Sequence, residues 1–279
     1  MQRRLHPTTA ILRHVVLMTG AIIMLAPFIW MVSASLRSPQ EIFHGGFSVL
    51  PQHWHAIENY TKAFTSQPLL RFMLNGAMVV SLIFILQALI ATPCAYALSK
   101  LRFRGRQFLF GLVLGALLIP PQAVSIPVFL MLWKINVLNT FSALVIPWTI
   151  SVLGIFLMRQ FFLTISDEII DAARLDGMSE LGIVWRLMVP MAIPALTAFG
   201  IISVVAHWND YFWPLIVLTG KDLYTPPLGV SFFANDEAGN DYGSLMAAAS
   251  IIIAPLVVGF LAAQEKFIKG IAMQAGVKG

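Results

Sequence analysis

Few residues in this chain could do chemistry, and many of those that could sit in one stretch. "SDEIIDAARLDGMSE", residues 166–180, carries Asp167, Glu168, Asp171, Arg174, Asp176 and Glu180, where the whole chain has eighteen basic and thirteen acidic residues. Carboxylates in that pattern, with a single arginine and no histidine or cysteine among them, suit electrostatic recognition rather than bond-making. The histidines at 6, 14, 44, 53, 55 and 207 form no pair of the H-E-x-x-H kind on one helix face. His53 and His55 could ligate a metal, but no cysteine accompanies them, and the plain reading is a polar loop with no metal. No GxxxxGK[ST] phosphate loop is present. The chain is therefore expected to be no enzyme and to hydrolyse no ATP. Further candidates inside apolar runs are amides, a carboxylate and an aromatic: Asn75, Gln87, Gln122, and Asn209, Asp210 and Tyr211 within "HWNDYFWP". Such groups hold polyhydroxyl ligands by hydrogen bonds and ring faces, and intramembrane polar residues mark pathways.

These groups are positioned by a chain that is 58% hydrophobic and 11% charged, with mean hydropathy +0.80. Soluble domains carry roughly 25% charged residues. The composition predicts an all-α integral membrane protein with a single domain over 1–279. Crossing a bilayer takes about 20 apolar residues as a helix. Six runs reach that length, near 14–36, 70–98, 107–132, 138–161, 187–218 and 244–267. The first lacks a small-residue cleavage site and reads as a retained span. Cys94 is the one cysteine, so no internal disulfide can form. Prolines 27, 93, 120, 121, 127, 147, 190, 194 and 255 fall within spans, where each frees a carbonyl and bends its helix.

Sidedness follows from the cations. With the N-terminus inside, Arg3, Arg4, Arg13, Lys100, Arg102, Arg104, Arg106, Arg159, Arg174, Arg186, Lys266, Lys269 and Lys278 are cytoplasmic. Only Arg37, Lys62, Arg71, Lys134 and Lys221 are then outside. The positive-inside rule selects this orientation, with both termini and the acidic stretch cytoplasmic. Basic residues at the ends of apolar runs set topology and exclude a nucleic-acid surface. The outer segment 37–69 reads as loop and short helix, and 219–243 as a solvated hairpin.

In the acidic stretch, Ser166 caps a helix start and Asp167 and Glu168 favour its first turn. "DEIIDAARL" is then a helix over 167–175, ended by Gly177 in a left-handed stop. Ser179 and Glu180 begin the next helix, which runs through Trp185 into the fifth span. Asp171 and Arg174 form an i,i+3 pair. The two alanines, Ala172 and Ala173, put small side chains on one surface. So short an amphipathic helix cannot bury its apolar side alone. It must lie on the membrane, on the other spans or in a partner's groove, and its acidic face favours the partner over lipid because the inner leaflet is itself negative.

"DAARLDG" followed by "IVWRLMVPMAIPAL" resembles the cytoplasmic loop of permease subunits of binding-protein-dependent ABC importers, which reads Glu/Asp-Ala-Ala, three residues, Gly. Val189-Pro190 stands where that loop has Leu-Pro. "FLMRQFFLTISDEIIDAARLDG", "WNDYFWPL" and the tail "QAGVKG" are similar to the carbohydrate branch, which includes maltose and glycerol-3-phosphate permeases. The resemblance implies the type I importer fold, with a coupling loop over about 163–186. It implies two permease subunits, two ATPase subunits that use ATP and Mg2+, and an extracytoplasmic binding protein, with no cofactor on this chain itself. It implies a multi-pass protein of the bacterial inner membrane. Glu168, Asp171, Ala172, Ala173, Asp176 and Gly177 would then couple to the ATPase. Asn75, Gln87, Gln122, Asn209, Asp210 and Tyr211 would line a carbohydrate pathway, although Trp208, Tyr211 and Trp213 equally suit an interfacial belt. Glycerol 3-phosphate or a polyol is the alternative cargo. A secondary transporter would need an internal repeat, and none is seen.

Overall fold

The computed structural model describes residues 7–44, 50–231, 233 and 241–274. Arg3, Arg4, His6, Asp236, Glu237, Lys278 and the tail after Gln274 lie outside the described residues. Among the described residues there is helix and turn and no strand. In chain order the helices are α1 (Pro7–Ser35), α2 (Pro39–His44), α3 (Ala56–Thr65), α4 (Leu69–Lys100), α5 (Arg106–Ala116), α6 (Ser125–Lys134), α7 (Phe141–Val145) and α8 (Val152–Phe162). They continue with α9 (Asp167–Leu175), α10 (Glu180–Ile183), α11 (Val189–Met191), α12 (Ile193–Trp208), α13 (Phe212–Val217), α14 (Pro226–Ser231) and α15 (Tyr242–Gln274).

Three helices are long and apolar enough to cross a membrane unbroken: Ile11–Ser35, Leu69–Lys100 and Tyr242–Gln264. Three more crossings are bent pairs. Arg106–Ala116 with Pro121–Lys134 turns by 95°, Phe141–Trp148 with Val152–Phe162 by 42°, and Glu180–Met191 with Ile193–Trp208 by 82°. Each break has a local cause. Pro120 is extended (φ −66°, ψ 133°) and starts a 3-10 turn, Pro121–Val124. Pro147 sits in a 3-10 turn, after which Ser151 restarts the helix by accepting from the Gly154 N–H at 3.0 Å. A π-turn over Val184–Met188 and the two prolines around Ala192 make the third. By contrast Pro27, Pro93 and Pro255 lie inside helices that continue unbroken across them.

By internal packing the chain forms two compact units, residues 1–69 with 230–254 and residues 70–229 with 255–279. In the first, Arg37 is fully buried although the sequence suggests an outer surface cation. Its guanidinium lies 5.2 Å over the Trp30 ring, 3.9 Å from Glu41 and 3.3 Å from the Leu50 carbonyl. A buried cation is tolerated only with such partners. Asn59 donates to the Ser35 and Arg37 carbonyls at 2.9 and 2.8 Å, tying α3 to the end of α1. Gln52 N–H donates to Glu41 at 2.7 Å, which holds that carboxyl below its usual range.

The second unit carries the main apolar core. Met158, Phe161 and Phe162 of α8 pack with Ala95 and Tyr96 of α4 and with Ile170, Ile183, Val184, Met188, Ala192 and Ala195. Two expectations change here. The segment beginning at 219 is not a solvated hairpin: α14 buries Pro226, Leu228 and Gly229, and Gly229 lies against the Phe72 ring, where a Cβ would not fit. Prolines at its start and a glycine at the contact let the backbone pack closely. The fifth span does not run unbroken to 218. It ends at Trp208 and resumes at Phe212. Asn209 donates back to the Val205 carbonyl and Asp210 accepts from the Trp213 N–H, side-chain bonds that compete with helix continuation.

Candidate functional site

The acidic stretch forms the helix expected of it. Ser166 is extended and its hydroxyl accepts from the Glu168 N–H at 3.3 Å. The helix closes through Gly177, at φ +80°, whose N–H reaches the Arg174 carbonyl at 3.0 Å. The Met178 N–H bonds the Ala173 carbonyl at 3.0 Å. These are the paired bonds of a glycine-terminated helix. Ser179 then caps α10 through the Gly182 N–H. Only one alanine faces the core, since consecutive helix positions point about 100° apart. Ala173 and Ile170 are buried in the core described above, and Ala172 is exposed. The outward face presents Glu168, Asp171, Ala172 and Asp176 with Ile169 and Leu175, the last 89% exposed.

Side chains fasten this helix to α4 at both of its ends, a link that sequence reading missed. At its start, Lys100 donates to Asp167 at 2.6 Å and to the Ile165 carbonyl. The Lys100 hydrogen bond holds the Asp167 carboxyl below the usual carboxylate range, so Asp167 is ionised at neutral pH. At its end, Arg174 grips Glu180 with Nε at 2.8 Å and Nη2 at 3.3 Å, and Asp171 with Nη1 at 2.9 Å. The Tyr96 hydroxyl donates to Glu180 and lies 3.4 Å from Arg174 Nη2. Planar, two-pronged pairing is what a guanidinium does and an ammonium does not. Tyr96 and Lys100 are four residues apart, one helical turn on one face of α4.

The intramembrane polar residues divide. Asn75 is buried and donates to the Asp222 and Tyr224 carbonyls at 2.9 and 3.1 Å, so it anchors the segment before α14. Gln87 is buried and fully engaged: it donates to the Trp148 carbonyl at 2.7 Å and to His207 at 3.3 Å, and accepts from Ser203 at 2.6 Å. Gln122 and Asp210 do come together, in a cavity of about 290 Å³ walled by Trp148, His207, Phe212 and Trp213. Asn209 and Tyr211 are exposed and are not among its lining. Trp148, Trp213 and His207 were not singled out as a set because their positions lie 65 residues apart at the extremes.

A helical membrane protein of up to six crossings, with a braced amphipathic helix outside them, has the form of a transport permease. Residues 87–272 match the family described as binding-protein-dependent transport system inner membrane component, and the chain belongs to that family. It is similar to the probable ABC transporter permease protein YurM of Bacillus subtilis, 33% identical over 91% of this chain and 83% of that protein. It is similar too to the arabinooligosaccharides transport system permease protein AraQ of Halalkalibacterium halodurans, 31% identical over the full length of both. Among solved structures, a chain of a bacterial ABC transporter involved in import of the acidic polysaccharide alginate shares the fold. It matches with a TM-score of 0.82 at 24% identity, over 96% of this chain and 99% of that one. The chain is thus an ABC importer permease and not an enzyme, a multi-pass protein of the inner membrane that works with ATPase and binding-protein partners.

Proposed function

We propose that this chain is one of two homologous permease subunits of an ATP-driven importer that moves a neutral sugar or oligosaccharide inward by alternating access. Two ATPase subunits using ATP and Mg2+ sit beneath the pair, and an extracytoplasmic binding protein delivers the cargo. Both termini face the cytoplasm, as the distribution of Lys and Arg requires. The observation that carries this reading is α9. Its outward face sets an exposed Leu175 among Glu168, Asp171 and Asp176, while its other face and both its ends are fixed to the molecule. That is the arrangement of a helix that docks in a partner's groove and carries the partner's movement as a rigid body. Glu168, Asp171, Ala172 and Asp176 supply the contact. Ala173 holds the helix down, and Gly177 turns the chain toward α10 and α12. Two states of the spans biased from both ends are what such coupling needs.

The test is reconstitution of this chain with its neighbouring permease, ATPase and binding protein in vesicles. Sugar uptake should require ATP, and loaded binding protein should stimulate hydrolysis. Uptake driven by an ion gradient, without the ATPase, would overturn the reading.

A further inference from the structure

We infer that the cavity beside α12 is a subsite for one neutral sugar ring, held by this chain itself; the inference rests on the carbohydrate-import reading. Its lining is Pro121, Gln122, Ser125, Trp148, Ala206, His207, Asp210, Phe212 and Trp213, of which the argument turns on Gln122, Trp148, His207, Asp210 and Trp213.

Two of the lining residues carry a hydrogen-bond donor with no acceptor of its own among the described residues. The Trp148 indole Nε1–H is buried and meets no acceptor among the described residues. A buried N–H without a partner is rare in native proteins and marks a place where an acceptor belongs. The second donor follows from a tautomer argument. The Gln87 amide nitrogen has two hydrogens, directed to the Trp148 carbonyl and to His207 Nε2. His207 Nε2 is therefore an acceptor, and the neutral ring carries its proton on Nδ1. Ser203 fixes the amide in that sense by donating to Gln87 Oε1 at 2.6 Å. Gln87 is thus a positioning residue that sets the His207 tautomer and holds the Trp148 backbone.

Acceptors line the same cavity. Asp210 accepts from the Trp213 N–H at 3.1 Å and also from the Phe212 backbone, two of the roughly four acceptor positions a carboxylate offers, and Gln122 adds an amide. Apolar walls complete the set: the Trp148 and Trp213 rings stand edge-to-face at 6.1 Å, and Trp213 is itself pinned by its Nε1–H to the Ala143 carbonyl at 2.9 Å. Donors, acceptors and flat apolar faces together match a pyranose, which offers hydroxyls around its rim and C–H groups on its faces. The cavity lies at the small end of ligand sites, roughly 300–1,000 Å³, enough for a ring and not for a chain.

Charge selects among cargoes. A carboxylate lines the cavity and no Lys or Arg does, so a phosphate or uronate would face an unpaired negative charge at low dielectric, a costly arrangement. The site therefore takes neutral polyols in ring form and rejects glycerol 3-phosphate.

The experiment uses the permease–ATPase complex in nanodiscs without binding protein. Saturation-transfer NMR is recorded with methyl α-glucopyranoside and methyl arabinopyranoside as probes and glycerol 3-phosphate as the anionic comparator. Transfer to at least one neutral glycoside and none to the phosphate ester is expected. Trp148→Phe keeps the ring and removes the N–H, and should weaken that signal roughly tenfold, in line with loss of one hydrogen bond. Ser125→Trp fills the cavity and should abolish it. In vesicles both variants should lower sugar uptake per ATP while hydrolysis stimulated by binding protein persists. No transfer to either glycoside in the wild type, or equal transfer in both variants, overturns the subsite. ATP-dependent sugar uptake by the wild type is read separately, so loss of the subsite leaves the importer reading intact and the reverse is equally visible.

Discussion

At the scale of single residues, the acidic stretch is held by more than its own sequence. Ser166, Gly177 and Ser179 were legible because capping is local: each side chain or torsion serves a backbone group within three residues. Tyr96 was not legible. Its partner Glu180 is 84 positions away, and nothing in an apolar run marks one tyrosine as a hydrogen-bond donor to a distant carboxylate. The same holds for Gln87, which reads as a pathway residue and is found fully engaged within the protein. Tyr96→Phe removes the hydroxyl and keeps the buried ring. The expected result is an assembled complex whose uptake per ATP drops severalfold while ATPase binding is unchanged. Lys100→Met should act alike, with Lys100→Arg restoring coupling. Normal stoichiometry in Tyr96→Phe and Lys100→Met together would show that these clasps carry no load.

At the scale of elements, up to six crossings were readable from apolar runs, while their interruptions were only partly so. Pro120–Pro121 and Pro190–Pro194 announce bends, yet Pro27, Pro93 and Pro255 carry the same chemical signal and leave their helices continuous. Whether a freed carbonyl breaks a helix depends on which neighbour can satisfy it, and that is tertiary information. The break at 209–211 was missed because Asn209 and Asp210 act through side-chain bonds of their own. The turn between α9 and α10 depends on Gly177 at φ +80°. Gly177→Val forces a β-branched residue into the left-handed region, at a cost of about 1–2 kcal/mol or more. A Cβ there meets no neighbour, so the strain is purely of the backbone. The expected phenotype is full membrane insertion with weakened ATPase retention on affinity purification. Retention at the wild-type level would mean that α9 docks independently of the turn.

At the scale of the whole molecule, sidedness remains a matter of charge counting, and it can be read directly. Cys94 is the chain's one cysteine, so a Cys94→Ser, Leu175→Cys protein has a single thiol on the outward face of α9. A membrane-impermeant maleimide should label it in inverted vesicles and not in intact cells. Labelling from the outside would reverse the orientation assigned from Lys and Arg and remove α9 from any contact with an ATPase.

The two clasps on α4 have a mechanical consequence. A helix of 32 residues is about 48 Å long, and its C-terminal end is gripped by α9 while Arg71 and Asn75 grip the 222–224 segment near its other end. Were α4 to pivot near its C-terminal end, a tilt of about 10° there would sweep the far end through about 8 Å, given that length. The helix would then be a lever arm with gain: an ångström-scale push at the end held by α9 would become a displacement the width of a sugar ring at the other, delivered to the segment leading into α14.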